Sequence, residues 1–327
     1  MNFNSDNSIR SAFTLVELMV VIAIVAILAS ISIPAVQSMR SAARRTQCQN
    51  NQHQLGLAFT MYASAMGGYP PSVTKEPAQR GWTIDMLPYM DAGNFSDDWD
   101  KHFDYFDNQN KRLLLKRLPL LSCPQTPNVK RTMQAEKDMN NKALPAPVSG
   151  VPSDYFVHYG GIKMPDGKTY KNALQECGKG CGSYFIPDGL SNTVVLNEQC
   201  GRPDLWIGKK KQSGQSADES WRSLWGAGPS THLIGFVKNS LTPGFDRVIN
   251  ISNNGIYSFH AHGAHSLFMD GSVRFISEQA LPWVVLALNT SDGKENVTPE
   301  DLSLTCFDES FIDPNTGKYP DGTTPNN

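Results

Sequence analysis

The sequence predicts an α+β fold: a long N-terminal helix packed on a mainly antiparallel β-sheet domain. Three observations predict it. The segment FTLVELMVVIAIVAILASISIP, from Phe13 to Pro34, is apolar throughout except for Glu17 and a few small polar residues. Cys48, Leu55, Phe59, Tyr62 and Met66 then recur at helical spacing, which gives a continuing helix one face to bury. Beyond it, short strand-like runs alternate with Gly- and Pro-containing turns, and HSLFMDGSVRFI, two apolar runs joined by Asp270-Gly271, is the strongest hairpin signal.

The N-terminal segment is long enough to span a membrane. Its 21 residues from Phe13 to Ile33 extend about 31 Å as a helix, against a hydrocarbon core of roughly 30 Å. A cleaved secretory signal is disfavoured by the length of the run and by the charge inside it. An ordinary anchor is disfavoured by the same carboxylate, which costs on the order of 2–3.5 kcal/mol at the centre of a bilayer and less near an end. A cut between Ala12 and Phe13 supplies a partner. It creates an α-amino group one helical turn from Glu17, positive near neutral pH, at a helix start that already favours a negative side chain. The amine of an adjacent subunit would serve equally and would set the axial register of an assembly. Pro34 removes one backbone donor and should bend the helix. From there the helix is expected to run on to about Ala65, with Arg44, Gln47, Asn51 and Gln54 on the outer face, and to stop at Gly67-Gly68 and Pro70-Pro71.

The chain of 327 residues can build one large domain or two modest ones. Its formal charge of −2, with no long basic run, gives no case for nucleic acid. Six cysteines are too sparse for a disulfide-built miniature scaffold and suit two or three bridges in an oxidising compartment.

A small residue followed by Phe-Thr-Leu-x-Glu and a long apolar helix resembles the type IV prepilin and pseudopilin class over Ala12 to Pro34. That class usually has Gly where this chain has Ala12. The resemblance implies cleavage by a prepilin peptidase after Ala12, N-methylation of Phe13, and a pilin-like fold. It also implies a C-terminal domain outside the cytoplasm, although the flanking charges, Arg10 before the span and Arg40, Arg44 and Arg45 after it, favour the opposite orientation when simply counted.

Several stretches together resemble a narrower family, the DUF1559 proteins, prepilin-motif proteins of planctomycete type. They are RRTQCQNNQHQLGLAFTMYASAMGGYPPS, LPLLSCPQTP, SDYFVHYGGI, IPDGLSNTVVLNEQ and SFHAHGAHSLFMDGSVRFIS, in the family's order. This resemblance implies a periplasmic or extracellular α+β domain and no particular reaction. It also implies a disulfide between Cys48 and Cys123, since the family commonly has cysteine at both matching places.

The organisation expected is therefore a leader at 1–12, the membrane part of the helix at 13–35, its periplasmic continuation at 36–66, a globular domain at 67–290 and a mobile tail at 291–327. Within the domain, 81–91 reads as helical or extended, 108–121 as a helix, and 134–152 as a polar, proline-containing loop. The runs 153–162, 183–189 and 193–198 read as strands. A fragment beginning near residue 66 is expected to be soluble and monomeric.

Candidate sites are few. His260 and His262, two apart, could face one side of a strand, with His265 close behind; imidazoles so spaced can bind zinc or nickel. A polar strand edge is the commoner use of such residues, and no metal or other cofactor is expected. Cys177 and Cys181 in CGKGC are not at the C-x-x-C spacing of redox pairs, and a local disulfide suits the two glycines between them. Asp188 to Thr193 reads as a turn. Asp313, Asn315 and Asp321 in the tail carry oxygens that suit calcium, without an EF-hand spacing. Glu198 ends a strand and could be buried with a partner. No nucleophile elbow, P-loop or dinucleotide fingerprint is present.

The expected function is non-enzymatic. It is that of a pseudopilin-like subunit in the inner membrane, spanning it once, with its domain in the periplasm or at the cell surface and a structural role in a type II secretion-like or pilus-like apparatus. Its expected partners are the prepilin peptidase, membrane lipid and other pilin-like subunits. The alternative is a membrane-tethered binding protein or metal-dependent enzyme that uses the helix only as an anchor.

Overall fold

The computed structural model describes residues 15–158, 161–163, 169–174, 186–216, 220–228, 230–231, 248–280 and 282–293. The chain divides into two compact units, Met1–Ala43 and Arg44–Asn327. Helix α1, Leu15–Met66, contributes to both.

In the first unit α1 has the chemistry of a helix made for lipid. Leu15, Val20, Ile24, Ile27 and Ile33 all stand exposed. It is long and apolar enough to cross a membrane. Its hydroxyls are satisfied within the helix: Ser30 Oγ donates to Ile27 O at 2.7 Å and Ser32 Oγ to Leu28 O at 2.8 Å. Such internal bonding is what lets serine enter hydrocarbon. Glu17 lies in the first turn, and the helix continues through Pro34.

In the second unit α1 becomes a core element. Cys48, Gln52, Leu55, Gly56, Ala58 and Phe59 are buried. The expected stripe holds through Phe59 and then fades: Tyr62 is only half-buried and Met66 is exposed. Gly67 ends the helix at φ +74°, a backbone state that glycine adopts without strain, and its N–H donates to Ala63 O at 2.9 Å.

The strands in chain order are β1 (Val73–Thr74), β2 (Arg80–Gly81), β3 (Met133–Lys137), β4 (Ala143–Gly150), β5 (Tyr155–His158), β6 (Ile162–Lys163), β7 (Thr169–Tyr170), β8 (Val194–Glu198), β9 (Asp204–Ile207), β10 (Lys210–Ser216), β11 (Ser230–Thr231), β12 (Gly263–Phe268) and β13 (Val273–Ser277). The central sheet has the order β11-β5-β8-β12-β13. All its pairings are antiparallel except β11 with β5. Tyr155 pairs with Glu198, Leu196 with Leu267, and His265 with Phe275. The β12–β13 hairpin turns at Gly271, where φ is +83°.

Neighbouring residues on a strand point to opposite faces. Leu267 therefore joins the core cluster that includes Leu55, Phe59, Trp82 and Trp225, while Phe268 joins a second with Ile276, Val284, Val285 and Leu288. The last three belong to a helix at Pro282–Leu288. Against the first face lies α1. Gln52 Nε2 donates to His265 O at 3.2 Å, and the Arg45 guanidinium sits 3.6 Å from the centroid of the Phe275 ring. A Cβ added at Gly56 would come within 2.8 Å of Leu267, so glycine there allows the close approach. This is an α+β, pilin-like arrangement.

Several expectations change. Residues 108–121 do not form a helix. Asn110 Nδ2 donates to the carbonyls of Asp100, Phe103 and Asp104 at 2.8, 2.9 and 3.3 Å, which draws the segment into turns. Pro119 lets only two short 3₁₀ turns form, Leu113–Leu115 and Pro119–Leu121. Residues 134–152 are not a loop, since β3 and β4 pair there. Pro145 and Pro147 fall where the register shifts between Ala135 and Lys137, and a bulge tolerates their missing donors. Residues 291–293, expected to open the tail, are tied to the domain. Ser291 N–H donates to Lys171 O at 2.8 Å, Asp292 Oδ1 accepts from Lys171 N–H at 2.7 Å, and Gly293 N–H donates to Asp188 Oδ2 at 2.9 Å. Most of the expected strand at 183–189 lies outside the described residues, and 186–189 is a turn region.

Candidate functional site

The charged centre of the domain is Glu198, the last residue of β8. It is fully buried on the sheet face that meets α1. A carboxylate in such a place needs donors, and three converge on it. His265 N–H donates to Oε2 at 2.8 Å, His265 Nδ1 lies 3.4 Å from Oε1, and His260 Nε2 lies 3.2 Å from Oε1. Burial pushes the Glu198 carboxyl up; the hydrogen bonds and positive charge of His260 and His265 outweigh it and bring the group down to about 2.

Each neighbour is held from outside. His265 lies on β12, and its ring meets that of Phe275 at 5.0 Å. His260 stands in the turn before β12, where its N–H donates to Ser258 Oγ at 3.2 Å and its carbonyl accepts from Lys209 Nζ at 2.5 Å. The two imidazole rings meet edge to face, 5.1 Å apart. On the α1 side, Cys48 and Cys123 form a disulfide. Cys123 Sγ lies 3.6 Å from His260 Nε2, and Cys123 N–H donates to Asp154 Oδ2 at 2.9 Å. Asp154 forms a buried ion pair with Arg131 and accepts from Gly201 N–H at 3.2 Å. Tyr155, whose Oη donates to Cys48 O at 3.4 Å, is raised by burial and then by Glu198. Burial, followed by Asp154 and Glu198, likewise pushes up the thiol of the free Cys200.

The histidine trio read from the sequence is divided. His260 and His265 meet at Glu198, while His262 is 89 % exposed at its side chain and lies 3.9 Å from Glu278 Oε1. Neither His260 nor His262 is on a strand; His262 takes φ +65° in the turn, which rotates it away from its neighbour. Glu198, Cys48 and Cys123 complete a group that spacing alone could not assemble. One donor atom each from Cys48, Cys123, Glu198 and His260 lies within 4.8 Å of every other. The residues are separated by up to 212 positions, and the sequence offered the histidine cluster, the end of the TVVLNE strand and the cysteine pair as separate signals that it did not join. Ala12, Phe13, Cys177, Cys181, Asp313, Asn315 and Asp321 lie outside the described residues. Glu17, exposed on the first turn of α1, is the described member of the processing motif. Asp188 to Thr193 is a turn, with Asn192 Nδ2 donating to Asp188 O at 3.2 Å.

A long amphiphilic first helix and an α+β domain around a buried polar centre define a pilin-like membrane-anchored class. Residues 37–280 match the family described as protein of unknown function (DUF1559), and the chain belongs to that family. Residues 7–33 match the prokaryotic N-terminal methylation motif. No curated protein and no solved structure matches the chain.

Proposed function

We propose that the protein is a non-enzymatic, pseudopilin-like subunit. A prepilin peptidase cuts it between Ala12 and Phe13, and Phe13 is then methylated. It is held in the inner membrane by α1 with its domain in the periplasm or at the cell surface, and it packs with like subunits in a secretion or pilus-like apparatus. One observation carries this reading: the methylation motif at residues 7–33 overlaps the start of a helix, Leu15–Met66, that is lipid-compatible there and part of the domain core from Cys48 onward. A second reading, a membrane-tethered binding protein or metal-dependent enzyme, draws on the four donors around Glu198. Their side chains are almost wholly buried, which suits a structural centre better than substrate turnover.

Photo-crosslinking from Val20 in native membranes tests the assembly. Ladders between subunits are expected, and they should weaken in Glu17→Ala while membrane insertion persists. Crosslinks to lipid only would contradict a packed helix bundle.

A further inference from the structure

We propose that Cys48, Cys123, Glu198 and His260 form a redox-gated structural metal site, which takes one divalent cation of the zinc class when the disulfide is reduced. The geometry carries the inference. A tetrahedral zinc with Zn–N and Zn–O near 2.0 Å and Zn–S near 2.3 Å needs donor separations of roughly 3.3 Å for N to O, 3.5 Å for N to S and 3.8 Å for S to S. The two separations to His260 already fit, 3.2 Å to Glu198 Oε1 and 3.6 Å to Cys123 Sγ. All four donor atoms lie within 4.8 Å of one another, and the bonded sulfurs must part to reach tetrahedral spacing, which reduction allows.

The surroundings suit a closed site. The donors are between 0 % and 2 % exposed, so four protein ligands fill the coordination shell and leave no position for a substrate. His265 N–H holds Glu198 Oε2 at 2.8 Å, while Oε1 faces His260 at 3.2 Å and His265 Nδ1 at the longer 3.4 Å. Such outer hydrogen bonds orient a ligating carboxylate. Two thiolates, one carboxylate and a neutral imidazole leave one net negative charge around a divalent ion. Lys209, bonded through Nζ to the His260 carbonyl, places a positive charge beside it. Cys48 comes from α1, Cys123 from the turn after Pro119–Leu121, Glu198 from β8 and His260 from the turn before β12. The disulfide ties α1 to the segment that carries Cys123; the metal would keep those two together and add β8 and the turn before β12.

The chemistry balances with a phosphine as reductant. The phosphine attacks one sulfur and the S–S bond breaks; water then supplies the oxygen of the phosphine oxide and the two protons of the thiols. Each thiol releases its proton to solvent as its sulfur binds the metal.

The test uses the full chain in detergent, with Cys177, Cys181 and Cys306 replaced by serine, and cobalt(II) as the probe. The reduced chain should bind about one cobalt with thiolate charge-transfer absorption and the intense visible bands of a tetrahedral site. The oxidised chain should bind none in this way. His260→Ala and Glu198→Gln should each weaken binding at least ~10-fold, as loss of a first ligand exceeds the 10–100-fold typical of outer partners at its lower end. His262→Ala, exposed and a few residues away, should change nothing. A reduced chain that loses its near-ultraviolet circular dichroism and regains it with zinc supports the site. Absence of the thiolate band, its survival in both His260→Ala and Cys48→Ser, or a reduced fold that zinc does not restore would overturn it.

Discussion

At the scale of single residues, Glu198 is the side chain on which most depends. It is held as a carboxylate at a fully buried position because His260 and His265 supply its donors. Removing the charge of a buried, hydrogen-bonded pair costs several kcal/mol when its partners stay behind. In the disulfide-bonded protein Glu198→Gln should therefore lower unfolding stability by about 2–4 kcal/mol in a urea titration near neutral pH. The pH dependence has a definite sign. The folded pKa, about 2, lies below the ordinary value of 4.5. The stabilisation is thus complete above the unfolded value and is lost as pH falls through the folded one. Subtracting the variant's stability from that of the parent should give a difference that shrinks with acid over this window. His260, His265, Tyr155, Cys200 and the Asp154–Arg131 pair are the other titratable groups around the carboxyl. A difference that grows toward pH 2 would contradict the account.

Among the elements, α1 and its attachment to the central sheet matter most. The Cys48–Cys123 bond closes a loop with a sequence separation of 75. Chain-entropy arguments put its contribution at about 4 kcal/mol. Cys48→Ser with Cys123→Ser, assayed without added metal, should lower stability by an amount of that order in denaturant unfolding; a loss under 1 kcal/mol would show that packing alone fixes the helix. How far each element was legible follows from the range of its signal. Helix α1 and the β12–β13 hairpin announce themselves within a few residues, through apolar spacing and Asp270-Gly271. Strands β3 and β4 do not, because Pro145 and Pro147 read as loop until the partner's bulge is known. The segment 108–121 misled through its leucines, when Asn110 decides its shape. The centre around Glu198 was legible only in part. His260 and His265 were visible as a cluster, while their meeting with Glu198 needs the β8–β12 pairing, and that of His260 with Cys123 needs a contact across 137 positions.

For the molecule as a whole, the boundary between membrane segment and domain lies inside the helix. A domain begun at residue 67 would lack Cys48, Gln52, Leu55, Ala58 and Phe59, all buried. Leu55 and Phe59 alone contribute roughly 1.5–3 kcal/mol each. This changes the expectation for a fragment begun near residue 66: a chain begun at Arg44 should be soluble, monomeric by light scattering and cooperative in thermal unfolding, whereas one begun at 67, stripped of buried α1 residues, should lose the cooperative transition. Equal stability of the two fragments would remove α1 from the core. In the proposed function a peptidase leaves Phe13 as the first residue, with an amine available to Glu17. N-terminal mass spectrometry of the native protein tests this most directly. The account predicts a chain beginning at N-methylated Phe13; an intact Met1, or a start near Ile33, would contradict it.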